Sequence, residues 1–235
     1  MKASFLDILY PRQCLGCGRA DPEAFRYICW DCWSDALKVE PPFCHLCGDP
    51  VAGTIEHQFV CYACSNKKPF FQKARSATRY DGVVGDALRR LKYEGALWLA
   101  PDLAQIMYNC VKAEFLEESF DFVLPVPLFR VRHRERGYNQ SEILAKELSK
   151  ALKVPMIGKM LRRIKPTISQ TNLTANERLS NVVGAFECRK EKRLKNQHIL
   201  LVDDVMTTGA TVNACAKALK RGGAASVCVI TVARG

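Results

Sequence analysis

Two adjacent carboxylates, Asp203 and Asp204, close the apolar run Ile199–Val202 and are followed by the stretch Val-Met-Thr-Thr-Gly-Ala-Thr. Carboxylates accept hydrogen bonds from hydroxyls. A Thr- and Gly-rich turn entering a helix offers free backbone N–H groups and the positive end of the helix dipole to an anion. The side chains of Thr207, Thr208 and Thr211 add donors, and Gly209 permits close approach of a ligand to the backbone. This pattern suits a ligand carrying a phosphate at one end, held by residues 207–211, with neutral hydroxyls beside it on the acid pair. A ribose 5-phosphate has that form. A capped helix after a strand accounts for one acid or one threonine, but not for two acids plus a donor-rich turn.

A second chemistry sits at the other end of the chain. Eight of the twelve cysteines fall in the first 64 residues as four C-x-x-C pairs: Cys14/Cys17, Cys29/Cys32, Cys44/Cys47 and Cys61/Cys64. Each C-x-x-C turn aims two thiolates at one point, and two turns together supply the four sulfurs of a closed tetrahedral zinc site. Glycine follows the first and third pairs (Gly18, Gly48), whereas Tyr-Ile-Cys-Trp at 27–30 matches Phe-Val-Cys-Tyr at 59–62. This is an internal repeat of about 30 residues. It predicts two structural zinc ions in tandem ribbons, on Cys14, Cys17, Cys29, Cys32 and on Cys44, Cys47, Cys61, Cys64. Interleaved pairing is the alternative to this sequential one; an iron–sulfur or redox-disulfide set is the competing chemistry. Cys110, Cys188, Cys215 and Cys228 stand singly among apolar neighbours and read as buried thiols.

The 235 residues, with 48% hydrophobic and 25% charged positions, have the composition of a globular protein. No apolar run reaches the roughly 18 residues of a membrane span, and the first residues lack the pattern of a secretory leader, so a cytoplasmic protein without membrane insertion is expected. The formal charge of +11 is unevenly shared: residues 1–70 carry a net −1 and residues 71–235 a net +12. An anionic partner is therefore expected on the C-terminal part.

The elements that must position these groups follow from the pattern. Residues 1–70 form the double-ribbon module and residues 71–235 a second domain of alternating helices and strands. Val83, Val84, Ala87, Leu88 and Leu91 have helical spacing, with Gly95 as the stop, and a second helix opens near Pro101. A strand from Asp121, a helix from Asn139, a basic strand from Met156, a short strand VVGAFEC, a strand HILLVDD, a helix from Ala210 and a strand SVCVITVA complete the order. Such alternation means an α/β fold, a mainly parallel sheet with helices on both faces, whose ligands bind at the carboxyl ends of the strands. In FRVRHRERGYNQ an extended backbone would place Arg130, Arg132, Arg134 and Arg136 on one face.

ILLVDDVMTTGAT resembles the phosphoribosyl-diphosphate (PRPP) motif of type I phosphoribosyltransferases. Together with the paired C-x-x-C modules, PVPL, RGYNQSEILA and SQTNLTANERLSNVVGAF, the chain resembles the ComF (GntX-like) family over nearly its full length. The resemblance implies that Asp203 and Asp204 hold the ribose hydroxyls and that Val205, Met206, Thr207, Thr208, Gly209, Ala210 and Thr211 form the 5-phosphate loop. It implies a pyrophosphate loop with Arg136 and Gly137, and a closing segment from Lys165 to Asn181 with Arg178 as its phosphate contact. It further implies Mg²⁺ accompanying PRPP, phosphoribosyl transfer, and a part in natural competence. The partners implied are single-stranded DNA and a competence helicase or other DNA-processing proteins. The same fold serving as a non-catalytic sensor or DNA-binding protein is the alternative.

Overall fold

The computed structural model describes residues 13–20, 27–36, 38–55, 57–165, 182, 184–189 and 192–235. In the N-terminal module two short helices, α1 (Trp30–Ser34) and α2 (Tyr62–Asn66), begin directly after the third cysteine of each set. There follow β1 (Lys73–Arg79), α3 (Gly82–Tyr93), a 3-10 turn at Leu97–Leu99, α4 (Ala100–Glu114), β2 (Phe122–Pro125), α5 (Arg130–Arg136) and α6 (Gln140–Leu152). The remainder is β3 (Leu161–Arg163), β4 (Phe186–Cys188), β5 (His198–Met206), α7 (Ala210–Arg221) and β6 (Ser226–Arg234). Among the described residues no helix is long and apolar enough to cross a membrane.

Four strands lie in the order β1-β6-β5-β2, all parallel, while β3 and β4 pair antiparallel as a separate ribbon. The fold is thus the expected α/β architecture, a parallel sheet with helices on both faces, behind a small N-terminal module. Its central strands are apolar on both faces because both are covered. Ile199, Leu201, Val227 and Val229 join a core with α7 and the β3–β4 ribbon. Leu200, Val202, Cys228, Ile230 and Val232 join a second core with α3, α4 and α6. Each half of the N-terminal module extends one of these cores: Ile28 and Trp33 pack into the second, Cys44, Cys47 and Cys64 into the first.

Helix ends follow their caps. Asp81 accepts from the Gly82 amide at 2.8 Å to start α3, and the Asn139 side chain accepts from the Ser141 amide at 3.1 Å to start α6.

Three expectations require correction. Strand β1 has no counterpart in the expected order, because KARSATR lacks an apolar run; its Arg75 is buried against Glu114, at 2.9 Å, rather than replaced by an aliphatic residue. The basic strand expected from Met156 is confined to β3, Met156 making only an isolated parallel bridge to Val123. The arginine-rich stretch is helical rather than extended. In α5 alternate residues point about 200° apart, so Arg130 and Arg134 share one side and Arg132 and Arg136 another.

Candidate functional site

The eight N-terminal cysteines come together as two sets, Cys14, Cys17, Cys29, Cys32 and Cys44, Cys47, Cys61, Cys64, with the ligand atoms of each set within 4.8 Å of one another. Pairing is sequential, not interleaved. The repeat persists in the hydrogen bonds. Gly18 and Gly48 amides donate to the Cys14 and Cys44 carbonyls at 2.9 and 2.8 Å, and Leu15 and His45 amides donate to the Tyr27 and Phe59 carbonyls at 2.8 and 2.7 Å. The Cys29 amide donates to Cys14 Sγ at 3.2 Å and the Cys61 amide to Cys44 Sγ at 3.4 Å, bonds that stabilise thiolates.

The acid pair belongs to β5, which runs on to Met206, so both carboxylates are carried by strand rather than loop. Both are buried. Ser141 Oγ, in the first turn of α6, donates to Asp203 Oδ1 at 2.8 Å, and the Asp204 amide donates to the same oxygen at 3.0 Å. Asp204 Oδ1 accepts from the Val205 amide at 2.6 Å. Lys92 Nζ, at the end of α3, forms an ion pair with Asp204 Oδ2 at 2.9 Å. Apart from Lys92 that oxygen has no partner among the described residues, so it retains accepting capacity for a ligand. Burial, then the charge of Asp204, push the Asp203 carboxyl up to about 7.

Of the expected phosphate-loop residues, Val205 and Met206 end the strand, with Met206 buried in the core. Thr207, Thr208 and Gly209 form the turn, and Ala210 and Thr211 open α7. Gly209 caps α7 at φ 74°, a left-handed conformation that favours glycine, and the Ala210 amide donates weakly to Thr208 Oγ1 at 3.4 Å. The helix N-terminus therefore lies directly beyond the acid pair on one continuous chain.

Arg136 ends α5 against Gly137, which adopts φ 79°. Its guanidinium donates to Gln140 Oε1 and stacks 5.5 Å from the ring centroid of Tyr93. It is thus tied to the neighbours of Lys92 and Ser141, the two residues that touch the acids. Arg130, His133, Arg134 and Leu128 line a recess of about 460 Å³. Arg178 lies outside the described residues, as does the rest of the expected closing segment from 166 to 181.

Lys92, Ser141 and Arg163 were not among the expected site residues. Burial dominates at Arg163 on β3 and holds its guanidinium below the ordinary value, against the opposing fields of Cys215 and Asp203. The signal for Lys92 was its register: Val84, Leu88 and Lys92 recur at i, i+4, i+8, which puts a lysine on the apolar stripe.

Residues 5–65 match the double zinc ribbon domain and residues 94–235 the phosphoribosyl transferase domain. Competence protein F of Haemophilus influenzae is 30% identical over 82% of this chain and 85% of its own length. The chain belongs to the ComF family. Other ComF-type relatives include DNA utilization protein YhgH of Escherichia coli K12, 32% identical over 88% of this chain and 90% of its own. Competence protein ComFC of Bacillus subtilis is 29% identical over 88% and 84%. Both cysteine sets fall inside the double zinc ribbon match, which makes them the two structural zinc sites of this ComF-family chain.

Proposed function

We propose that the chain binds PRPP or a ribose 5-phosphate compound at the carboxyl end of β5 and acts as a phosphoribosyltransferase-type protein. The observation that carries this reading is the buried acid pair followed without interruption by the Gly209-capped N-terminus of α7. Asp203 and Asp204 accept hydrogen bonds from the ribose hydroxyls, with Asp204 Oδ2, partnered among the described residues by Lys92 alone, open to a second donor. The amides and hydroxyls of residues 207–211 hold the 5-phosphate. Arg136 and Gly137 face the diphosphate, whose oxygens suit arginine forks, and Arg178 is the further phosphate contact that the ComF resemblance implies. Mg²⁺ would accompany the diphosphate, as the ComF resemblance implies, and would offset the charge of the departing group. The protein's part is positioning the anomeric carbon and preorganising charge around it.

Calorimetry with PRPP and Mg²⁺ tests the reading. Asp203→Asn combined with Asp204→Asn should keep the fold and weaken PRPP, each lost charged hydrogen bond costing roughly 1.5–3 kcal/mol. Inorganic phosphate, which needs only the Thr207–Thr211 turn, should bind as before. Unchanged PRPP affinity would reduce the acids to helix-capping groups and remove the transferase reading.

A second reading, compatible with the first, is binding of single-stranded DNA, with DNA-processing proteins such as a competence helicase as partners. Two observations favour it: the net +12 of residues 71–235 and relatives named for competence and DNA utilization.

A further inference from the structure

Lys92 stands in the last turn of α3, where helix carbonyls favour a cation. Its side chain is only 17% exposed, with Nζ 2.9 Å from Asp204 Oδ2 and 5.8 Å from the centroid of the Tyr80 ring. Burial disfavours its ammonium, yet Asp204 and then Asp203 outweigh that and hold the lysine charged. Two adjacent buried carboxylates are otherwise a natural seat for a hard divalent cation, which prefers clustered oxygen ligands. Here an ammonium already stands in that place. Among the described residues only the two cysteine sets bring three or more metal-ligating side chains together, so the acids gather no third ligand.

We infer that Lys92 is a positioning residue that commits the acid pair to sugar hydroxyls and keeps a divalent cation from binding the carboxylates directly. The inference rests on the ribose-phosphate reading of the site and deepens it by naming the ligand group. A lysine ammonium has three donors, and one directed at Asp204 leaves others for a ligand oxygen. A vicinal diol is matched to this arrangement: its hydroxyls donate to the carboxylates, and one of them accepts from the Lys92 ammonium. A metal ion offers no acceptor, and it must displace a fixed positive charge to enter. Mg²⁺ then reaches the site only on the diphosphate side of the ligand.

The test uses full-length, zinc-loaded protein and Mn²⁺ alone as the probe, followed by the paramagnetic resonance of the free ion. Wild-type protein should take up no Mn²⁺ that Asp203→Asn with Asp204→Asn abolishes. Lys92→Met, which keeps length but not charge, should bind Mn²⁺ roughly 10-fold or more tightly than wild type, given the strength of a nearby like charge in a partly buried site. That uptake should vanish when both acids are also changed to Asn. Lys92→Arg should exclude Mn²⁺ as wild type does. In metal-free buffer Lys92→Met should bind ribose 5-phosphate roughly 10-fold or more weakly, as expected for loss of a charged hydrogen bond. Lys92→Gln replaces Lys92→Met should the latter not fold, as judged by two retained zinc ions and native circular dichroism. Mn²⁺ uptake unchanged by removal of the lysine charge overturns the inference, as does wild-type uptake that depends on the two aspartates. Wild-type protein that fails to bind ribose 5-phosphate would instead remove the sugar reading, and the manganese result separates the two failures.

Discussion

Asp203 bears the main electrostatic cost of the site. Burial, then Asp204, raise its carboxyl to about 7, against opposing hydrogen bonds from Ser141 Oγ and the Asp204 amide. An acid raised on folding binds more protons in the folded chain than in the unfolded one, so stability falls as pH rises from about 4 to about 7. Asp203→Asn removes that charge. Its unfolding midpoint should exceed that of wild type by little at about pH 5 and by more at about pH 8. Thermal unfolding of both proteins at the two pH values measures the difference, and comparing them cancels the shared titration of the zinc ligands. A difference independent of pH would show that the fold does not strain this charge. The acid pair and the eight cysteines were legible in the sequence because their spacing has few other uses. Lys92 was not, since a lysine in a last helical turn usually just complements the dipole. Ser141 likewise resembles any residue in the first turn of a helix.

Among the elements, β5, β6, α3, α4, α6 and α7 were legible from apolar period and caps, whereas β1 and α5 were not. The cause in β1 is its neighbour. The knuckle of the second zinc set lies against this edge strand: Ala74 donates to the Leu46 carbonyl at 2.7 Å and Arg75 to the His45 carbonyl at 3.1 Å. Arg234 on the adjacent β6 holds the Cys47 carbonyl at 3.2 Å and Asp49 at 2.6 Å. A strand covered through polar contacts has no apolar signature. In α5 the alternation of arginines imitates a strand, but arginine is a good helix former and Gly137 supplies the left-handed stop. The knuckle contact makes a paired prediction. Gly18 and Gly48 occupy equivalent places with φ of 71° and 67°, yet a Cβ on Gly18 meets nothing within 4 Å while one on Gly48 would lie 2.8 Å from the Ala74 carbonyl oxygen. Gly18→Ala should cost about 1 kcal/mol for the left-handed backbone alone. Gly48→Ala should cost more, lowering the midpoint by a further 2–4 °C for each additional kcal/mol, as is typical at about this chain length. Equal midpoints for the two variants would mean that the knuckle is not seated on β1.

The molecule as a whole divides its charge more sharply than its packing. Residues 71–235 hold a net +12 and residues 1–70 a net −1, although the two parts share both cores. Single-stranded DNA should therefore bind the full chain with log affinity falling linearly in log salt, by about −0.7 per phosphate neutralised. Fluorescence anisotropy across a salt series reads that slope. Equal binding by zinc-loaded residues 1–70 would move the surface to the ribbons. The strand order has its own consequence for how the chain is made. β1 pairs with β6, the last of the described strands to leave the ribosome, whereas both cysteine sets emerge well before it. Nascent ribbons can load zinc, yet the β1–β6 edge on which the second knuckle rests does not exist until Ser226–Arg234 is in place. A chain halted before Ser226 would carry metal and still expose the ribbon face meant for that edge, so zinc content alone cannot certify a finished molecule.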